Sequence, residues 1–143
     1  MELYAINKDG STSEMLELSA PAKDICSSLA ALYQMKGYVF PWIGYFAEEN
    51  GQTVGTCAFK EPPADNRVEI AYFTFPENEG KGIATRMASS LIAIAKQHEP
   101  DITVFAQTLP KENASTAILR KLGFKHLGTV DHPEDGAVWE WEL

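Results

Sequence analysis

The chain has 143 residues, with 20 acidic against 12 basic side chains and a formal charge of −8. A domain of that length buries roughly 68% of the surface of its unfolded chain, so a single domain over residues 1–143 is expected, and its acidity disfavours nucleic acid and anionic membranes as partners. Cys26 and Cys57 stand apart from any Cys/His cluster, which points to a reducing, cytoplasmic setting without a metal site, and no apolar run approaches the ~20 residues that cross a bilayer.

Leu3 to Ile6 reads as a short strand ending at the turn cluster Asn7-Lys8-Asp9-Gly10. From Pro21 onward Ile25, Leu29 and Leu32 recur at helical spacing until Gly37 stops the helix. Trp42 to Ala47 and Gln52 to Phe59 are β-rich runs around Asn50-Gly51, a strong hairpin signal. After an exposed loop carrying Pro62-Pro63, Val68 to Phe75 forms the next strand and Pro76 ends it. Ile83, Met87, Leu91, Ile94 and Ala95 make the apolar stripe of a helix from Ile83 to Lys96. Thr103 to Ala106 is a short buried strand, and a helix from Asn113 to Leu122 stops at Gly123. Lys125 to Val130 and Ala137 to Trp141 close a hairpin around His132-Pro133-Glu134-Asp135-Gly136. The order β, α, β-hairpin, β, α, β, α, β-hairpin predicts an α/β domain: a mixed sheet with helices against it, free of internal repeats.

The segment Glu79-Gly80-Lys81-Gly82-Ile83-Ala84, between a strand and an amphipathic helix, carries the chemistry. Two glycines remove side chains at the turn, so backbone N–H groups at the helix start can converge on an anion with the positive end of the helix dipole behind them. A Walker A loop would need a glycine where Phe75 stands and Ser or Thr where Gly82 follows Lys81. A dinucleotide fingerprint would place Gly or Ala at Thr85 and sit in the first βα turn of the chain. The bland alternative is that Gly80 and Gly82 only shape a strand-to-helix turn.

Flanking residues weigh against that alternative. Phe73-Thr74-Phe75-Pro76 ahead of Glu79-Gly80-Lys81-Gly82-Ile83-Ala84, then Asn113-Ala114-Ser115-Thr116 leading to Leu122-Gly123-Phe124, resembles the GNAT superfamily of acetyl-CoA-dependent N-acetyltransferases. The likeness is clearest from about Trp42 to Trp141 and is most similar to the branch with the ribosomal-protein N-terminal acetyltransferases. It implies a GNAT-like fold: a central, mostly antiparallel twisted sheet of about six to seven strands flanked by helices. It implies acetyl-CoA as co-substrate, with backbone groups of Phe73, Thr74 and Phe75 pairing with the pantetheine amides. Amides of Gly80, Lys81, Gly82, Ile83, Ala84 and Thr85 would hold the pyrophosphate. Asn113 would hydrogen-bond the pantetheine arm with Ser115 nearby, although a helix N-cap explains Asn113 equally well. The implied acceptor is an amine, on a small molecule or at a protein N-terminus or lysine, and a homodimer remains open. Two positions depart from the pattern: Glu79 stands where Gln or Arg is usual, and Leu119 where many members carry the Tyr that protonates the leaving thiol.

An ammonium with pKa near 10.4 is deprotonated in about one molecule in a few thousand at pH 7, a barrier of roughly 4 to 5 kcal/mol unless a base removes the proton. Glu69, in Val68-Glu69-Ile70, resembles the family's glutamate base, while a solvated strand edge or an ion pair is its structural alternative. The leaving thiol, with pKa near 8.5, lies only about 2 kcal/mol from its anion at neutral pH. Tyr72 is the candidate acid, on the strand face opposite Glu69 by period-two alternation. Tyr38, Trp42 and Tyr45 fall in the segment that lines the acceptor site in such proteins. His98, His126 and His132 are scattered, which suits surface or capping roles. Two other readings stay open: a CoA-binding module without catalysis, favoured by Glu79 and Leu119, and a nucleotide-binding domain.

Overall fold

The β-rich runs become strands β1 (Glu2–Ala5), β2 (Gly44–Glu49), β3 (Gln52–Phe59), β4 (Arg67–Thr74), β5 (Thr103–Thr108), β6 (Lys125–His132) and β7 (Gly136–Glu142). The helical runs become α1 (Ala20–Lys36), α2 (Ile83–His98) and α3 (Ala114–Lys121). This computed structural model describes residues 1–12 and 18–143. Among the described residues no helix is long and apolar enough to cross a membrane. One element is absent from the sequence reading: Pro76–Asn78 is a 3-10 turn, started by the fixed φ of proline and closed by Asn78 N–H donating to the Phe75 carbonyl at 2.8 Å.

The seven strands form one sheet in the order β1-β2-β3-β4-β5-β7-β6. All pairings are antiparallel except β4 with β5. That parallel pairing is short, running from Arg67 opposite Thr103 to Glu69 opposite Phe105. On its other side β4 stays paired with β3 as far as Thr74. The β5-facing edge of β4 is therefore left open from Ile70 to Thr74.

Side-chain alternation along β4 assigns its two faces to different layers. Val68 and Ile70 are buried on the even face, which also carries Tyr72 and Thr74. Gly55, opposite Thr74, shows what covers this face: a Cβ there would lie 2.6 Å from the Phe73 carbonyl oxygen and 2.9 Å from Met87 Cε. Thus α2 rests directly on β3 and β4. Of the expected stripe Ile83, Met87, Leu91 and Ala95 are buried, each large apolar side chain contributing about 1.5–3 kcal/mol, while Ile94 is half-buried and Ala88 joins the buried set. α1 covers the odd face, where Leu29 Cδ1 lies 2.8 Å from the Cβ position of Gly44, two strands over from Ala71. Cys26 and Cys57 are both buried thiols, as their separation in sequence suggests.

Candidate active site

Gly80 and Gly82 have φ of 78° and 74°, a left-handed conformation that side-chain-bearing residues rarely adopt. Gly82 is the N-cap of α2, and its carbonyl accepts from Arg86 N–H at 3.2 Å. Ahead of that bond, none of the backbone N–H groups of residues 80 to 85 meets an acceptor among the described residues. Six successive donors at the positive end of a 16-residue helix are thus left for a ligand. A Cβ on Gly80 would meet nothing within 4 Å, so the cradle opens to solvent there. Glu79 and Lys81 are exposed. These donors suit an anion, and the anomalous Glu79 side chain is exposed, so its charge is solvated.

Asn113 caps α3. Its Oδ1 accepts from Thr116 N–H at 3.1 Å, and Thr116 Oγ1 accepts from Asn113 N–H at 2.9 Å, a reciprocal capping box. The cap reading is correct, yet it occupies only one end of the carboxamide: Nδ2 has no acceptor among the described residues. Phe75 is more committed than the resemblance implies. Its N–H donates to the Val54 carbonyl at 3.0 Å and its own carbonyl accepts from Asn78; the same alternation turns the Phe73 backbone to Thr56 of β3, which leaves Tyr72 and Thr74 facing the open edge, a correction to the implied set Phe73, Thr74 and Phe75.

Glu69 projects from the odd face into a cavity of about 920 Å³. Its walls come from α1 (Leu29, Tyr33, Lys36), from the end of β3 (Lys60) and from the β6–β7 turn (His132, Asp135). The Glu69 side chain is 16% exposed. Lys60 Nζ stands 3.2 Å from Oε2, without the alignment of a hydrogen bond, so this buried oxygen has charge compensation but no donor. Burial pushes the Glu69 carboxyl above its ordinary range, opposed first by Lys60.

Tyr72 lies on the even face, as alternation requires, because β4 has no bulge. Its hydroxyl donates to the Ser115 carbonyl of α3 at 3.4 Å, and burial pushes the phenol up to about 12. Leu119 is fully buried in the core. Glu69 and Tyr72 therefore stand on opposite sides of one strand, flanking the gap where β4 and β5 part.

Two expected wall residues are elsewhere. Tyr45 is buried and donates its hydroxyl to the Pro41 carbonyl at 2.7 Å, and Tyr38 stacks edge-on against Tyr33, 5.0 Å between ring centroids. Trp42 does reach the cavity, and Tyr33, which the sequence places beside the apolar stripe of α1 and not in the acceptor wall, forms part of it while accepting Gly44 N–H at 2.8 Å. His132 accepts two turn amides, Glu134 N–H and Asp135 N–H, both at 3.1 Å, which is a capping role.

The family model described as the acetyltransferase (GNAT) domain matches residues 2–125. The chain belongs to the GNAT acetyltransferases. Among curated relatives, the human protein named N-acetylaspartate synthetase is 31% identical over 84 residues, covering 58% of this chain and 28% of that protein. The chain thus spans little more than a quarter of that relative's length. Among solved structures, an N-acetyltransferase from Staphylococcus aureus Mu50 superposes with a TM-score of 0.64 at 24% identity, covering 85% of this chain and 76% of its own. RimL, the ribosomal L7/L12 alpha-N-protein acetyltransferase in complex with coenzyme A, superposes with a TM-score of 0.69 at 16% identity, covering 99% and 92%. The GNAT-like sheet of about six to seven strands expected from the motifs has seven here, and the fold superposes on these proteins, ribosomal-protein acetyltransferases included.

Proposed function

We propose that the protein moves the acetyl group of acetyl-CoA onto a primary amine by direct attack in a ternary complex. The observation that carries this reading is the set of six unpaired amides at residues 80 to 85, placed beside a strand edge that is open as far as the Glu69 cavity. Bound along that edge, acetyl-CoA supplies an activated acyl group. The chain's own residues do the rest. Amides 80 to 85 hold the diphosphate, the open-edge backbone groups of Tyr72 and Thr74 pair with the pantetheine arm as an added strand would, and Asn113 Nδ2 donates to it. Glu69, on the other face, takes the proton of the incoming ammonium, directly or through water. Tyr72 stays protonated at neutral pH and stabilises the departing sulfur as a hydrogen-bond donor, since a phenol pushed up to about 12 by burial is a weaker acid than the thiol.

RimL is named for acetylating an α-amino group and N-acetylaspartate synthetase for an N-acetylated amino acid. Both names support an amine acceptor for this chain, on a small molecule or at a protein N-terminus or lysine. Leu119 favours a second reading, a CoA-binding module without turnover, since the position of the usual acid is core. A panel of amines with acetyl-CoA, scored by thiol release, separates the two. Release with at least one amine, lost in Glu69→Gln, supports transfer; calorimetric CoA binding without release for any amine supports the module. ATP that displaces CoA at comparable concentration would overturn both.

A further inference from the structure

Lys60 follows the last residue of β3, and its N–H donates to the Glu69 carbonyl at 3.0 Å, which extends the β3–β4 ladder by one rung. Residues facing each other across such a rung send their side chains to the same face. Backbone pairing thus sets the Lys60 ammonium against the Glu69 carboxylate, and Nζ stands 3.2 Å from Oε2. That oxygen is closed to water and meets no aligned hydrogen-bond donor, so the ammonium is the closest group that compensates a charge there.

Other charged groups around Glu69 are engaged elsewhere or cancel. From the β6–β7 hairpin, His132 favours the carboxylate and Glu140 opposes it. Arg67, two residues back on β4, turns to Glu140 at 3.8 Å and Glu142 at 3.3 Å. Lys36 of α1 is held by Glu61 at 3.3 Å, and the Asp135 carboxylate lies 3.4 Å from the His132 Nδ1 that accepts the turn amides. Among the described residues, Lys60 is the one cation within ion-pair distance of Glu69.

We propose that Lys60 is a positioning residue for Glu69: its ammonium keeps the carboxylate ionised in the cavity wall despite burial, so that the base is ready when an amine arrives. This rests on the reading of Glu69 as base. An opposite charge at this range lowers a carboxyl pKa by roughly one to three units. Removing it therefore moves protonation of Glu69 to higher pH, and the ionised fraction at a fixed acidic pH falls about tenfold per unit.

The test titrates Glu69 directly, by NMR of protein carrying ¹³C-carboxyl glutamate, with the resonance assigned by its loss in Glu69→Gln. In Lys60→Met the midpoint is expected to rise by about one pH unit, the lower end of that range, while Lys60→Arg stays near wild type. Equal midpoints in wild type and Lys60→Met overturn the proposal. Lys60→Gln replaces Lys60→Met if thermal melting shows the latter to be unfolded. The acid limb of kcat/KM is then measured on the same variants. A limb that follows the carboxyl midpoint supports both roles. A midpoint that moves under a stationary limb removes Glu69 as base while leaving the hold of Lys60 on it established.

Discussion

Replacing Gly80 with alanine isolates the geometry of the anion cradle from its packing. Gly80 has φ 78° and open space where a Cβ would go, so the substitution introduces no clash, only the conformational cost of a side chain in the left-handed region. That cost is about 1–2 kcal/mol. Gly51, in the β2–β3 turn, is a matched control: φ is 80° and a Cβ again meets nothing within 4 Å. Both variants should lose about 1 kcal/mol of stability, a drop of about 2–4 °C in Tm for a domain of this size. Their binding should diverge. In Gly80→Ala, relief of the strain rotates the amides of residues 80 to 82 off a common point. Losing one or two charge-assisted hydrogen bonds at about 1.5 kcal/mol each weakens CoA roughly 10- to 100-fold. Gly51→Ala should bind CoA as wild type does. Isothermal titration of CoA, with Tm followed by differential scanning fluorimetry, reads both quantities. Equal CoA affinities for the two variants, with equal Tm shifts, would refute the assignment of the loop to the diphosphate.

Four further outcomes follow from the site. Glu69→Gln should lower kcat/KM by about 10²- to 10⁴-fold for an acceptor with a lysine-like pKa, and far less for an amine that is already neutral at the assay pH. Equal losses for both amines in the thiol-release assay would count against a base role. Wild-type activity toward the basic amine should rise with pH through the Glu69 titration, because the ionised form is the active one and burial has displaced that titration upward. Asn113→Ala should cost about 1 kcal/mol of stability through the lost cap and weaken CoA, whereas Asn113→Asp keeps the cap acceptor and loses only the Nδ2 donor; calorimetry showing full CoA affinity in the aspartate variant would remove Asn113 from the pantetheine site. Tyr72→Phe should cut kcat by up to about 30-fold, the equivalent of the roughly 2 kcal/mol that separates a thiol from its anion at neutral pH. An unchanged kcat with intact thiol release would dismiss Tyr72 as the donor to the departing sulfur.

Signals carried by local chemistry were legible before any coordinates. Asn50-Gly51 marks the hairpin, the Ile83 to Ala95 stripe marks the buried side of α2, and two glycines between strand and helix mark the cradle, because each depends on a few adjacent residues. Period-two alternation also placed Glu69 and Tyr72 on opposite faces of β4 correctly, since no bulge interrupts that strand. What depends on distant packing was not legible. Tyr33 reaches the cavity only because α1 crosses the β2–β3 layer at Gly44, and His132 and Asp135 reach it only because the last hairpin folds back over β4. Tyr45, chosen by its neighbourhood in sequence, instead turns into the core, where Pro41 takes its hydroxyl. Position along the chain does not report the face a residue of β2 presents. Asn113 shows a subtler limit: one carboxamide satisfies a helix end with its oxygen and keeps its nitrogen free, so two readings that compete in sequence coexist in space.

Parity along a single strand partitions the molecule's sensitivity to change. At odd positions of β4, where Glu69, Ala71 and Phe73 stand, a new side chain falls on the side of α1 and leaves the opposite face untouched; at even positions, where Val68 and Ile70 are buried, it falls on the side of α2. A lineage drifting in acceptor preference can therefore retouch alternate residues of eight while the coenzyme side stays as it was. An insertion of one residue in β4 would exchange the side chains that face α1 with those that pack under α2 at a stroke, which makes the length of this strand a more constrained property than most of its side chains.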